Sequence, residues 1–420
     1  MNLISKIQNN FIRINTNKDF IRKSIILLSS TLISLFFGFL TNTFLTKLLG
    51  KEQFGNFAFI INILTFCQVL FNFGLYYTIS RLVAITSDER KIKGYYLVGI
   101  VLSFFIFLIM AICLLGYSYF SNTLEESGLK TIMILSIPFS WLFLITNLNE
   151  FFLQGYNKIN LLSITRVLPK IVFSIFLGYC LLFYKDASLW MVIIFNFISL
   201  FVTYVYIYYR LSPVISSFTR RLKEILVANK QFGFDIYLGA LIASGSGSLS
   251  GILIGQFGVN NIDVGYFTLA TLLASPLSLL PNIIATVQFR KFASLTRIPT
   301  ETLYFTFGLC LLFLVLIWFL SKYLVEFIFG NEYLQTVEIL KYLSLGYLLY
   351  GIGDFYNRFL LVKGKGKELR NASIIVGITL LLANVIFIQN LGAIGAAYAR
   401  IISGLTYSIV ILFFYKKEVR

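Results

Sequence analysis

Apolar runs of eighteen or more residues recur along the whole of this 420-residue chain. A helix needs about 20 apolar residues to cross roughly 30 Å of hydrocarbon. Inside lipid the backbone must satisfy its own hydrogen bonds, so only helices and closed barrels can span. The runs are continuous rather than alternating, which excludes a β-barrel. The expected fold class is therefore an all-α polytopic membrane protein. Composition agrees: 58% of residues are hydrophobic and 13% charged, whereas a soluble chain carries roughly 25% charged residues.

The runs predict twelve spans: 24–46, 54–80, 94–117, 131–154, 161–183, 189–209, 232–257, 264–287, 303–325, 337–361, 372–389 and 393–415. Pro276 and Pro281 should bend span 8. Residues 1–23 carry Leu3, Ile7, Phe11 and Ile14 at helical spacing, with Lys6 and Arg13 elsewhere on the wheel. That pattern suits an interfacial amphipathic helix, and no cleavable signal peptide is expected there. Residues 210–231 repeat the device, with Leu211, Ile215, Phe218, Leu222 and Ile225 set against Arg220, Arg221, Lys223 and Glu224. The expected organisation is an N-terminal bundle (1–209), an amphipathic linker (210–231) and a C-terminal bundle (232–420).

The formal net charge of +17 invites a nucleic-acid reading, but its placement argues otherwise. Taking the loops alternately, one side holds 28 of the 35 Lys and Arg residues. The other side holds five: Lys47, Lys51, Lys130, Lys185 and Lys322. Lys341 and Arg400 lie inside apolar runs. This asymmetry is topogenic. It predicts cytoplasmic N- and C-termini, an even number of spans, contact with anionic membrane lipid, and no nucleic-acid partner.

Enzymatic chemistry is not expected. There is no histidine, which removes the commonest general base and metal ligand. Gly364-Lys365-Gly366-Lys367 lacks the spacing of a phosphate loop. Neither catalytic residue, metal nor cofactor is expected, and no outward loop is long enough to hold an active site. Cys67, Cys113, Cys180 and Cys310 lie in apolar segments and read as small buried hydrophobes.

Charges inside the membrane carry the functional signal, because each costs about 2.5–3.5 kcal/mol at the bilayer centre and so seeks a cavity or a partner. Glu150 shares a face with Asn147 and Gln154; Arg400 shares one with Ser403 and Tyr407. Arg166 and Lys170 are one turn apart, and Asp354 stands four residues before Arg358, spacing for a local ion pair. The candidate substrate-binding residues are Arg81, Glu150, Arg166, Lys170, Lys341 and Arg400. The candidate coupling-ion residues are Asp235 and Asp354. Small residues recur in span 1 (Ser30, Ser34, Gly38, Asn42) and in span 7 (Gly239, Ala243, Gly247, Gly251, Gly255), as close helix packing requires. Aromatic residues, 17% of the chain, form interfacial belts and offer surfaces for stacking on sugars. The two halves also echo each other. Gly50 and Gly55-Asn56-Phe57 after span 1 resemble Gly258 and Gly265-Tyr266-Phe267 after span 7.

Four segments carry a family resemblance: Leu48-Leu49-Gly50-Lys51-Glu52-Gln53-Phe54-Gly55, Asn72-Phe73-Gly74-Leu75 with Arg81, Phe329-Gly330-Asn331-Glu332-Tyr333, and Leu391-Gly392-Ala393-Ile394-Gly395-Ala396-Ala397. In order and spacing they resemble the Wzx-like polysaccharide repeat-unit flippases of the multidrug/oligosaccharidyl-lipid/polysaccharide exporter superfamily. Asn72 departs from the pattern, since many relatives have Asp there. The resemblance implies two six-helix bundles forming a V around a central cavity. It implies a bacterial inner or plasma membrane protein that flips undecaprenyl-diphosphate-linked oligosaccharide for O-antigen or capsule synthesis, by alternating access. An H+ or Na+ gradient as the drive, and association with a polysaccharide polymerase, belong to the same expectation. A multidrug or organic-cation antiporter, a membrane polymerase and a lipid II-type flippase are the competing readings.

Overall fold

A computed structural model describes the backbone of residues 3–184, 186–258, 260–288, 292 and 295–419. Side chains are described for the same residues except 3–21, 24, 232, 235, 238–240, 242–246, 286 and 287. The amphipathic pattern of residues 1–23 and the assignment to Asp235 thus fall largely outside the described side chains.

The described chain is helical, without strands. In order the helices are α1 (Leu3–Leu70), α2 (Leu75–Ala84), α3 (Glu89–Phe120), α4 (Asn122–Glu126), α5 (Lys130–Ser136), α6 (Trp141–Gly155), α7 (Ile159–Phe183), α8 (Leu189–Leu211), α9 (Phe218–Ala228), α10 (Phe234–Phe257), α11 (Ile262–Ala274), α12 (Pro276–Val287), α13 (Thr300–Phe329), α14 (Thr336–Val362) and α15 (Gly366–Val419). Eight segments are long and apolar enough to cross a membrane. Two of them, of 46 and 54 residues, are about twice the length a bilayer needs at 1.5 Å per residue. Each breaks at a glycine outside helical geometry: Gly50 in α1 (φ 65°, ψ 174°) and Gly392 in α15 (φ 55°, ψ −133°). Counting each as two, and adding α10 and α14, gives the twelve spans expected.

The surface of these helices is that of a multi-pass membrane protein. Only 17% of the most apolar window of α13 is buried, and Phe319 and Phe327 on that helix are 78% and 89% exposed. An apolar surface of this extent belongs in lipid rather than water.

Three local features differ from the sequence reading. Span 2 is not one helix, because α1 stops at Leu70 and a turn with Phe73 at φ 48° and Gly74 at φ 82° precedes α2. Asn72 is buried in that turn, and its Oδ1 has no hydrogen-bond partner among the described residues. The linker is not one amphipathic helix either. Residues 212–217 are irregular and Ile215 is 83% exposed; Arg210 and Leu211 end α8, and the separate linker helix is Phe218–Ala228, continued by a π-helical turn at Asn229–Gly233. Cys113 is exposed, unlike the other three cysteines. Span 8 is interrupted at Ser275, immediately before Pro276, as the prolines predict.

The contacts divide the chain into two compact units. The first comprises residues 1–44, 72–112 and 136–234. In it α7 packs along α8, and α6 packs on α2, α7 and α8. The linker is fastened here by a charge cluster that the sequence places on a solvated face. Arg221 is buried; its Nη1 donates to Glu224 Oε2 (2.6 Å) and its guanidinium lies 5.4 Å from the Tyr95 ring. The Tyr95 hydroxyl donates to the same Glu224 oxygen (2.6 Å).

The second unit comprises residues 45–71, 113–135 and 235–420. Helix α14 is its centre, packed against α11, α12, α13 and α15. Phe292, Phe355, Phe359, Tyr407 and Ile411 form an aromatic-rich core around it. Within this unit the two echoing joints meet. A Cβ on Gly55 would come within 2.1 Å of the Asn261 carbonyl, and one on Gly265 within 3.3 Å of Gly55 Cα. Only glycine allows so close a backbone approach. The buried Asn261 side chain donates to Asn56 (2.8 Å), and Tyr333 from the Phe329–Tyr333 motif caps the joint by donating to the Thr46 carbonyl (3.2 Å).

Candidate functional site

The candidate residues with described side chains, which leaves out Asp235, fall into a cluster in each unit, with two exceptions. In the first unit, Glu150 on α6 pairs with Arg166 on α7. Arg166 donates from Nε (3.0 Å) and from Nη2 to one oxygen, Glu150 Oε1. Both side chains are about one-third exposed, so the pair is neither sealed in the core nor fully solvated. One turn on, Lys170 Nζ donates to the Ser34 carbonyl (3.1 Å) and would lie 3.6 Å from a Cβ at Gly38. The small-residue stripe of span 1 thus makes room for the cations of α7. Ser34 Oγ reaches the Arg166 carbonyl (3.3 Å) and Thr41 Oγ1 meets Ser174 Oγ (2.7 Å). Among the described residues no carboxylate forms an ion pair with Lys170.

In the second unit, Arg400 lies between two tyrosines of α14. Its guanidinium carbon is 5.1 Å from the Tyr347 ring and 5.2 Å from the Tyr350 ring. Arginine over an aromatic face is attracted by the ring quadrupole. A Cβ at Gly247 of α10 would lie 3.6 Å from Arg400 Nη2. Among the described residues no carboxylate pairs with Arg400, so its charge is held by the ring faces and hydroxyls of Tyr347 and Tyr350. Tyr350 packs at a tilt against Tyr407 (5.5 Å between centroids), and the Tyr407 hydroxyl donates to Asp354 Oδ1 (2.9 Å) while accepting from Asn357 Nδ2 (2.9 Å). Arg400, Tyr350, Tyr407 and Asp354 therefore form one connected polar seam. The expected Asp354–Arg358 ion pair is absent among the described residues; Arg358 Nε donates to Asn282 Oδ1 instead (3.0 Å). Ser403, expected to share the Arg400 surface, is buried and bonds the Arg400 carbonyl (3.1 Å).

Two candidates stand apart. Lys341 is exposed and lines a separate surface hollow with Trp318, Glu338 and Tyr342. Thirteen residues along α14 from Asp354, it sits about 20 Å away. Arg81 is exposed in the last turn of α2. The glycines of α10 divide in role: Gly251 abuts Asn62 and Gly255 abuts Phe59, so these two serve packing, whereas Gly247 leaves space at Arg400.

Sequence reasoning missed Tyr347, Tyr350, Asn282 and Asn357. The i, i+3 spacing of Tyr347 and Tyr350 on one α14 face is a signal, but only the fold pairs that face with Arg400, some fifty residues away. It also missed the buried Tyr96–Asn149 bond (2.7 Å) and the buried Ser250–Asn384 pair (3.2 Å).

Apolar helices with cations and tyrosines set among them make up a polytopic membrane fold, and solved transporters of the multidrug/oligosaccharidyl-lipid/polysaccharide exporter superfamily share that fold. One is the lipid II flippase MurJ in an inward closed conformation, with a TM-score of 0.73, 18% identity, and coverage of 94% of this chain and 89% of that one. Another is an inward-facing multidrug resistance MATE family transporter, with a TM-score of 0.70, 14% identity, and coverage of 94% and 98%. A superfamily transporter from Pyrococcus furiosus, whose binding pocket is described as of reverse polarity, scores 0.59 at 14% identity, covering 95% of each chain. At these identities the likeness speaks for the fold, which in these relatives is twelve helices in two bundles. No curated protein matches the chain in sequence. Residues 20–295 match the family described as "Polysaccharide biosynthesis protein", and the chain belongs to that family.

Proposed function

We propose that this protein flips undecaprenyl-diphosphate-linked oligosaccharide repeat units from the cytoplasmic to the outer face of a bacterial inner or plasma membrane. The exported units would feed O-antigen or capsular polysaccharide synthesis. The observation that carries this reading is Arg400, a cation within the twelfth span, held by Tyr347 and Tyr350 with no carboxylate pairing it among the described residues. An unneutralised guanidinium between aromatic faces receives an anion that is itself attached to a ring-bearing group: the guanidinium fork meets phosphate oxygens and the rings meet sugar. Lys170, whose ammonium meets a backbone carbonyl, supplies a second such cation. Sugars and diphosphate cannot cross the hydrocarbon unaided, so the polar seam carries them while the polyprenyl tail stays in lipid.

The orientation, with both termini cytoplasmic, rests on the Lys/Arg asymmetry. The division into bundles at 1–209 and 232–420, rocking about the 210–231 linker, rests on the internal echo of the halves. Asp354 is the carboxylate of the seam and the residue we assign to an H+ or Na+ coupling step, with Asp235 as the second candidate. Handover of product to a polysaccharide polymerase completes the reading. The family description supports the polysaccharide substrate, and the MurJ-like fold supports a lipid-linked one. The test is in cells: deleting the gene should leave lipid-linked repeat units on the cytoplasmic face and the surface polymer missing. Intact surface polymer with altered drug efflux would place the protein among the antiporters instead.

A further inference from the structure

The first unit contains a second concave site, apart from both clusters. A cavity of about 600 Å³ is lined by α1 near Arg22–Ile26, by the first turns of α3 and α7, by the last turns of α8 and by the turn before α7. This volume lies within the range of ligand-binding pockets. Among the described residues its lining holds the cations Arg22, Lys23, Lys93, Lys158 and Arg210 and one acid, Glu89. The Tyr156 hydroxyl already donates to Glu89 (3.2 Å), and Lys158 lies 4.9 Å from the Tyr156 ring. Grouping Arg22, Lys93, Lys158 and Arg210 from four segments is unfavourable unless an anion offsets them. Every one of these residues stands at a span end: Arg22 and Lys23 precede Ile25, Lys93 follows Glu89, Lys158 precedes Ile159, and Arg210 adjoins Leu211. The cavity is thus at the level of one membrane–water interface, and Ile26, Leu161, Ile164 and Leu211 give it an apolar wall.

We propose that this cavity binds a phosphate-bearing anion, either the headgroup of an anionic phospholipid or a soluble phosphate or diphosphate. The site is separate from the residues assigned to transport. Near an anionic surface each Lys or Arg contributes about fivefold in affinity, so removing three lowers affinity about 100-fold.

The test uses the purified full-length protein in neutral detergent. Thermal stability is titrated with short-chain phosphatidylglycerol, with phosphatidylcholine of equal chain length, and with inorganic phosphate and pyrophosphate. Saturable stabilisation by phosphatidylglycerol but not by inorganic phosphate identifies a lipid headgroup; the converse identifies a soluble anion. The variant K93Q/K158Q/R210Q should lose the response by at least about tenfold, while K367Q/K416Q/K417Q, which removes three exposed lysines elsewhere, keeps it. In the wild-type protein the same anion should shield Lys93 and Lys158, but not Lys416, from an amine-reactive label. The proposal is overturned if no anion stabilises the protein beyond phosphatidylcholine. It is equally overturned if both variants lose the response alike, or if Lys93 and Lys158 label at the same rate with and without the anion.

Discussion

Arg400 and Asp354 occupy one seam yet never touch, because Tyr350 and Tyr407 stand between them. Each charge is thus stabilised by an aromatic or hydroxyl neighbour and keeps capacity for a further partner. Replacing Arg400 with Ala should cut translocation at least about tenfold, the scale of one lost charge-assisted contact of about 1.5–3 kcal/mol, with membrane insertion unchanged. Arg400→Lys should recover only part of this, since an ammonium lacks the planar fork. Both are read by comparing transport per inserted molecule. Asp354→Asn should alter dependence on the proton or sodium gradient, and Asp235→Asn is measured beside it. Unchanged gradient dependence in both removes them as coupling sites. Arg400 and Asp354 were legible as candidates because a charge within an apolar run announces itself. Their neighbours were not, because Tyr347 and Tyr350 are ordinary residues of an aromatic-rich chain until the fold sets them beside Arg400. Arg221 misled in the opposite direction. A basic residue in a basic linker reads as solvated, but Glu224 and Tyr95 satisfy it well enough to be buried.

Among the elements, the linker helix α9 is where acid should act first. Burial alone would raise the Glu224 carboxyl, but hydrogen bonds from Tyr95, Arg221 and Arg220 outweigh it and hold the group below its ordinary value. A depressed carboxylate contributes stability that is fully present above the ordinary glutamate range, about 4.3, and is lost as the pH falls through the lowered value. Thermal stability should therefore fall in this acid window for the wild type and change less for Glu224→Gln, which at neutral pH should be less stable by about 1–2 kcal/mol. Parallel pH profiles for the two proteins would contradict the anchor. The break in span 2 belongs to this scale as well. Phe71–Gly74 continues an apolar run and offers no proline, so hydrophobic periodicity passes straight over it. The backbone turns at Phe73 and Gly74 nonetheless.

For the whole molecule, the rocking of two bundles proposed above requires some tight contact to open and close once per cycle. The interlocked joints at Gly55 and Gly265 are that contact in this account, because their backbones meet directly and Asn56 bonds Asn261. In a background lacking Cys67, Cys113, Cys180 and Cys310, cysteines at Asn56 and Asn261 should cross-link under oxidation. The cross-link should abolish transport, and reduction should restore it; full transport by the linked protein would mean that the joint is static. The echo of these joints was visible in the sequence as a repeated glycine pattern, whereas their mutual packing is a product of the fold. The central claim is movement of a lipid-linked oligosaccharide, and it is tested most directly in vesicles containing the purified protein and undecaprenyl-diphosphate-linked repeat unit on one leaflet. Appearance of the sugar on the opposite leaflet, followed with an impermeant glycosidase, should be rapid with the wild-type protein and at least about tenfold slower with Arg400→Ala. Failure of the wild-type protein to exceed empty vesicles, or equal rates for the two proteins, would contradict the account.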